Sequence, residues 1–233
     1  MINGKRVGAI IPAAGSGMRM GGIQKQFLLL HGEPVICHAL RAFQDSPLID
    51  CITVATGADA VGSTRELVLE QRFTKVTKVI EGGAHRQDSV WNGIQAMMDD
   101  SIDLIVIHDG ARPFVSKELI AETVKTAEDF GAAIAGVPAN DTIKLTDQDN
   151  IVAATLDRDR LWFVQTPQAA KFALLVGAFE KARAEAFYGT DEAILLERNG
   201  TKVKVVRGNY DNIKITTPED MGIAENIARK RLI

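Results

Sequence analysis

Cysteine is scarce in this chain of 233 residues, with only two present, Cys37 and Cys51. Both sit in apolar segments without C-x-x-C spacing or a nearby histidine cluster, so they read as buried free thiols rather than as a disulfide or a metal site. Free thiols fit a reducing, cytoplasmic setting. Long apolar runs are also missing. Nothing approaches the roughly 20 apolar residues a membrane helix needs. The run after Lys5 and Arg6 is too short for a secretory signal and ends at Pro12. Nor is there a basic surplus. The formal net charge of -3 argues against nucleic-acid binding by counterion release, while leaving room for small anions, which need only local positive charge. His31, His38 and His85 have no ligand spacing with one another and read as structural or surface residues.

What the chain does contain is ordinary for a globular protein: 46% hydrophobic and 24% charged residues, which argues against disorder and suffices for one well-buried core. Residues 1–233 read as one domain. Apolar, β-rich runs recur at Val7–Ile11, Cys51–Ala55, Val76–Ile80, Leu104–Ile107, Ala133–Val137, Phe163–Gln165 and Val203–Val206. Most are separated by segments of helical periodicity, which predicts an α/β fold with a mostly parallel sheet and helices on both faces. The clearest helix is capped by Ser116, carries the stripe Leu119, Ile120, Thr123, Val124, Ala127 and Phe130, and stops at Gly131.

One stretch departs from that alternation. Within Pro138–Trp162, the runs Thr142–Thr146 and Ile151–Thr155 flank the polar turn DQDN and predict a protruding β-hairpin. A lone hairpin is marginal in water, so this arm needs something to pack on, and a second copy of the chain is the economical partner.

Local positive charge appears in IIPAAGSGMRMGGIQKQFL, Ile10 to Leu28, just after the first strand. In open parallel sheets this turn is a common phosphate site. The glycines do not keep the G-x-G-x-x-G spacing of a dinucleotide fold, since Gly21 comes one residue late. A Walker loop fails too, because Ile23 stands where its lysine must be. What remains is a backbone cradle flanked by Arg19 and Lys25, cations suited to charge that builds up during phosphoryl transfer. The plain alternative is a surface loop with incidental cations.

Further motifs narrow the choice: EGGAHRQDSV at 81–90, HDGARPF at 108–114, DTIK at 141–144, DRDRLW at 157–162, QTPQ at 165–168, TDEA at 190–193 and NIKIT at 212–216. With PAAGSGMRMG and KQF, these are collinear over almost the whole chain. Together they resemble the 2-C-methyl-D-erythritol 4-phosphate cytidylyltransferases of the non-mevalonate isoprenoid pathway. The resemblance implies a single Rossmann-like nucleotidyltransferase domain with a β-hairpin dimerisation arm at 138–162. It also implies transfer of a cytidylyl group from CTP to methylerythritol phosphate, with pyrophosphate released.

The same resemblance sets Ala13, Ala14, Gly15, Gly83 and Ser89 around the cytidine nucleotide and makes Arg19 and Lys25 the transition-state cations. It turns Asp109, Arg112, Thr166, Thr190 and Lys214 toward the methylerythritol phosphate and the metal region. Thr142 and Arg158 come from the partner's arm, with Arg160 a neighbouring rival, and Lys214 and Arg158 aim the attacking phosphate. Mg²⁺ bridges the triphosphate, with Asp109 as its ligand, directly or through water. One departure is that many members read Pro-Lys-Gln where this chain has Gln24-Lys25-Gln26.

Read without the resemblance, these residues keep plainer alternatives. Asp109 follows an apolar strand and suits a metal, a helix N-cap or a pair with Arg112. Ser89 and Gln87 open a helical run and suit capping as well as base contact. Lys214 lies between Ile213 and Ile215 and, on a strand, would point away from them into solvent. Two other functions stay open: a ribitol 5-phosphate cytidylyltransferase, whose members tend to read AGGKGSRM and DSVRP at the corresponding motifs, and a non-catalytic nucleotide sensor of the same fold.

Overall fold

The computed structural model describes residues 1–15 and 25–231. Strand β1, Val7–Ala13, is apolar and buried along nearly its whole length, as expected for the middle of a sheet covered on both faces. A 3-10 turn at Lys25–Phe27 leads to the short pair β2 (Leu29–Leu30) and β3 (Glu33–Pro34). Then come α1 (Val35–Gln44), β4 (Cys51–Thr56), α2 (Val61–Glu70), β5 (Val76–Glu81), α3 (Arg86–Ala96), β6 (Leu104–Ile107) and α4 (Lys117–Phe130). The second half holds β7 (Ala132–Pro138), β8 (Lys144–Thr146), β9 (Val152–Thr155), β10 (Trp162–Lys171), α5 (Phe172–Ala184), α6 (Glu192–Arg198), β11 (Lys204–Arg207) and α7 (Pro218–Arg231).

The 7-stranded sheet has the order β11-β7-β10-β6-β1-β4-β5. Each apolar run of the sequence became a strand, and all neighbours are parallel except around β10, which runs antiparallel to both β6 and β7. β10 is also longer than the predicted Phe163–Gln165, because a break in register between Val164 and Gln168 lets it continue along β7. Side chains alternate between two cores, as the pleat requires. Ala9 and Ile11 face α1, α2 and α4 through Leu40, Phe43, Val68, Ile120 and Val124. Ile10 faces α3, α5 and α6 through Val90, Ile94, Phe179 and Leu195. A third cluster seats α7 on β2 through Leu30, Ile215, Ala224 and Ile227. Cys37 and Cys51 are free and buried in the two main cores, and burial pushes the Cys37 thiol up to about 12 and Cys51 upward as well.

The Ser116 hydroxyl accepts from Leu119 N at 3.1 Å, and Gly131 ends α4 at φ 98°. Phe130 leaves the predicted stripe: it is 61% exposed, beneath the Lys204 ammonium at 5.5 Å. The segment around Lys214 is irregular rather than a strand. It is fixed by Ile215, which is fully buried and whose N–H donates to the Ala111 carbonyl at 2.9 Å. β8 and β9 pair antiparallel in a sheet of their own and are exposed throughout. No helix among the described residues is long and apolar enough to cross a membrane.

At Gly93, α3 packs tightly against β1. A Cβ there would stand 2.7 Å from Ile10 Cγ2 and 2.9 Å from its Cδ1. Gly93→Ala gains up to about 1 kcal/mol of helix propensity, but forcing a methyl against a fully buried, branched side chain costs about 1–3 kcal/mol. The expected outcome is a lower urea midpoint at unchanged m-value; a higher midpoint would show that the layers yield easily.

Candidate active site

The chain runs from β1 outward through β4 to β5, then returns to β6 on the other side of β1. That reversal opens a crevice beyond the carboxyl ends of β1 and β6, the position where open α/β sheets bind ligands. A cleft of about 360 Å³ lies there, and a second of about 210 Å³ adjoins it, Arg86, Asp109 and Lys214 lining both.

The larger cleft is bordered by Ala13, Ala14, Gly15, Gly83 and Ser89. Gln26 Nε2 donates to the Ala13 carbonyl at 2.6 Å and braces the end of β1. Gly82 and Gly83 must be glycine: a Cβ on Gly82 would meet Ala14 Cβ at 2.5 Å, and one on Gly83 would meet Asp88 Cβ at 2.2 Å. Ser89 fastens this turn, its hydroxyl accepting from Gly83 N at 3.0 Å and donating to the His85 carbonyl at 3.1 Å. The cap of α3 belongs instead to Asp88, whose carboxylate accepts from His85 N at 3.1 Å. Gln87 holds the chain ahead of α6, donating to Phe187 O at 3.0 Å and accepting from Gly189 N at 2.8 Å.

Asp109, two residues past β6 and 6% exposed, is the centre of the charge arrangement. Its Oδ1 accepts from Arg86 Nε at 2.7 Å, its Oδ2 from Lys214 Nζ at 2.8 Å, and Arg112 Nε stands 3.6 Å from Oδ2. Burial would raise the carboxyl pKa, but Arg86, Lys214 and Arg112 hold it well below the usual carboxylate range. Burial works equally against the Arg86 charge, yet Glu192 and Asp109 lift that guanidinium above its ordinary value. The Glu192 carboxylate takes Arg86 Nη1 at 2.6 Å and Nη2 at 3.1 Å. Three cations, Arg86, Arg112 and Lys214, are thus gathered around Asp109 at the junction of the clefts, balanced by Asp109, Glu192 and Asp191 on the smaller cleft's wall. Arg112 Nε is buried at a distance from Asp109 too long for a good hydrogen bond, and the carboxylate is the anion it faces.

A buried network sets the posture of Asp109. His108 Nε2 lies 3.1 Å from the Arg112 carbonyl, which can only accept, so the ring carries its proton there and Nδ1 accepts from Thr166 Oγ1 at 2.9 Å. The Thr166 hydroxyl in turn accepts from Asp109 N at 3.1 Å. Asn212 completes the frame, donating from Nδ2 to Thr166 O at 2.8 Å and accepting from Arg112 Nη1 on its carbonyl at 2.7 Å.

Of the residues expected at the site, Asp109, Arg112, Thr166, Thr190 and Lys214 line the smaller cleft. Thr142 and Arg158 lie exposed on the arm, with Arg158 Nη1 donating to Asn140 O at 2.9 Å. They do not line either cleft of their own chain. Arg19 and the Lys25 side chain lie outside the described residues. Arg86, Glu192, His108, Gln168 and Asn212 were not singled out from sequence, although each stands within or beside a quoted motif. Lys214 is turned to Asp109 and not to open solvent. Both Asp109 oxygens are engaged by cations, and no group of three or more His, Cys, Asp or Glu among the described residues could by itself hold an ion.

Residues 7–230 match the family model described as 2-C-methyl-D-erythritol 4-phosphate cytidylyltransferase. The chain belongs to that family. A cytidylyltransferase of this name from Geobacter metallireducens is 47% identical over 96% of this chain and 98% of its own length, and one from Caldanaerobacter subterraneus is 46% identical over 96% and 99%. Among solved structures, 4-diphosphocytidyl-2C-methyl-D-erythritol synthase from Anaerococcus prevotii superposes with a TM-score of 0.86 at 33% identity, covering 97% of this chain and 100% of that one. The cytidylyltransferase from Thermus thermophilus gives 0.79 at 33% identity, over 96% and 99%.

The network carries a pH signature. Burial lowers the fully buried His108 from 6.5 to about 4, so between those values the unfolded chain takes up a proton that the folded chain refuses. The stability involved is whole above about pH 6.5 and declines toward pH 4, by about 3 kcal/mol over the span. Asp109 adds to the loss only below about pH 4, where the unfolded carboxyl protonates first. Urea unfolding at about pH 7 and 4.5 should show a steeper loss for the wild type than for His108→Asn; equal slopes would remove His108 as the source.

Proposed function

We propose that this chain transfers the cytidylyl group of CTP to 2-C-methyl-D-erythritol 4-phosphate, giving 4-diphosphocytidyl-2-C-methyl-D-erythritol and pyrophosphate, a step of isoprenoid precursor biosynthesis. The observation that carries the reading is the cluster of Arg86, Arg112 and Lys214 around Asp109 at the sheet's reversal point, in a chain that matches its family over residues 7–230. The whole chain acts as one nucleotidyltransferase domain, working in the cytoplasm, where the free thiols of Cys37 and Cys51 suit reducing conditions.

The acceptor phosphate is anionic at neutral pH and needs no general base. Its oxygen forms a bond to the α-phosphorus of CTP as the bond to pyrophosphate breaks, so positioning and charge neutralisation carry the catalysis. Ala13, Ala14, Gly15, Gly83 and Ser89 take the nucleotide in the larger cleft. Arg112, Thr190 and Lys214, framed by Asp109 and Thr166, take the acceptor in the smaller one. Arg19 and Lys25 stabilise the α-phosphate and the departing pyrophosphate. The divalent cation, Mg²⁺, belongs to the substrate and enters as the metal complex of CTP.

The active unit is a homodimer joined through the arm. Leu145, Ile151, Val152, Trp162, Phe163 and Val164 are all exposed on the hairpin and the start of β10. An uncovered apolar surface of this kind is suited to a second copy. Thr142 and Arg158 then reach the partner's smaller cleft.

Pyrophosphate release over a grid of CTP, UTP and ATP against methylerythritol phosphate and ribitol phosphate tests the reaction. The pair CTP and methylerythritol phosphate should dominate; preference for ribitol phosphate would favour the sister activity, and silence across the grid a nucleotide sensor. Arg19→Ala and Lys25→Ala should each lower kcat about a hundredfold with little change in the KM for CTP, because their contacts strengthen only as charge develops. If KM rises and kcat holds, both are binding residues alone. Arg19→Ala and Arg158→Ala, each inactive, should recover about a quarter of wild-type activity when mixed at equal amounts after reversible dissociation, because half the dimers are mixed and each regains one intact site. No recovery would put Arg158 in its own chain's site.

A further inference from the structure

Arg86 is the first residue of α3 and lines the nucleotide cleft together with Gly83. Three of its N–H groups are committed to carboxylates: Nε to Asp109 at 2.7 Å, Nη1 and Nη2 to the two oxygens of Glu192 at 2.6 and 3.1 Å. Glu192 is the first residue of α6 and 2% exposed. The neighbouring Gln87 grips the same stretch through Phe187 O and Gly189 N. From β10, Gln168 holds its other end, donating to Asp191 Oδ2 at 3.0 Å and accepting from Ala193 N at 3.1 Å. Thr190, on the acceptor cleft, sits inside this clamped stretch.

These bonds make one body of two parts that come from distant places in the chain. The start of α3 borders the nucleotide side, the stretch before α6 borders the acceptor side, and Arg86 and Gln87 span them. The fork of an arginine onto a carboxylate fixes orientation as well as distance. Arg86 also shares Asp109 with Lys214, which, like Arg86, lines both clefts.

We infer that Arg86, clamped by Glu192, is a positioning residue that holds the nucleotide and acceptor halves of the cleft in register, so that the acceptor phosphate meets the α-phosphorus in line with the departing pyrophosphate. The inference rests on the transfer reaction proposed above. Arg86 acts through Asp109, Lys214 and the 187–193 stretch, and its effect therefore falls on kcat rather than on nucleotide affinity.

The test compares wild type, Arg86→Lys, Glu192→Gln and the double variant. Pyrophosphate release gives kcat and both KM values, calorimetry gives the CTP Kd, and thermal unfolding monitors the fold. Lysine keeps the charge but loses the fork, and glutamine keeps the shape of Glu192 but loses its charge. A shift of reacting groups by a fraction of their spacing costs up to about a hundredfold. Arg86→Lys should lose about that much in kcat and Glu192→Gln about tenfold, with CTP Kd held within about threefold. The double variant should be no slower than Arg86→Lys, because the two residues act as a unit. A purely structural role would lower the unfolding temperature and leave kcat of the folded protein within about twofold of wild type. That outcome, additive losses, or failure of both single variants to fold would overturn the inference. Wild-type protein that releases no pyrophosphate refutes the reaction itself and the inference with it. Active wild type with unaffected variants refutes the inference alone.

Discussion

A carboxylate buried at the end of β6 is the constraint on which the site depends. Asp109 is tolerable there only because Arg86, Lys214 and Arg112 stand around it, and each arrives from a different part of the chain: α3, the segment ahead of α7, and the turn after Asp109 itself. A single uncompensated charge in that place would cost several kcal/mol. Conversely, the cations are held close together against their own repulsion because Asp109 and Glu192 sit between them. The result is three cations gathered at a fixed place, in a chain whose formal net charge is -3. Binding small phosphates asks for cations placed locally and for nothing from the net balance.

The remaining structure serves this cluster in layers. The sheet's reversal beside β1 opens the crevice, and the Gly82-Gly83 turn lets Ala14 come close enough to close one wall. The buried chain from Arg112 O through His108 and Thr166 to Asp109 N fixes the carboxylate without exposing another charge. α7 acts at longer range. Packed on β2 through Leu30 and Ala224, it shares a core with Ile215, one residue from Lys214. The position of a charged side chain at the site is thus set by apolar contacts at the rear of the molecule.

Much of the fold was legible because its signals are local. β-branched runs, the Ser116 cap and the Gly131 stop each depend on a few neighbouring residues, and each stands where the sequence placed it. The direction of β10 was not legible, since an apolar run looks the same along either direction. Phe130 fitted the helical period but lies in the last turn of α4, where it is 61% exposed. The alternation Ile213-Lys214-Ile215 imitated a strand, whereas the segment is irregular and anchored through one hydrogen bond to Ala111. At the site, motifs led to Asp109, Arg112 and Lys214, yet Arg86 and Glu192 escaped notice. Their partnership spans 106 positions of the chain, and nothing in either motif read alone announces it.

The two cysteines carry a consequence outside the chemistry of the site. Burial pushes the Cys37 thiol up to about 12 and Cys51 upward as well, which disfavours the reactive thiolate of both. Both lie inside the main cores. Peroxide, heavy-metal reagents and alkylating dyes therefore find no nucleophile on the folded surface, while an opened chain offers two at once. The thiols form a built-in indicator of folding: the intact protein stays unlabelled through oxidative stress, and a labelled molecule is one that has come apart.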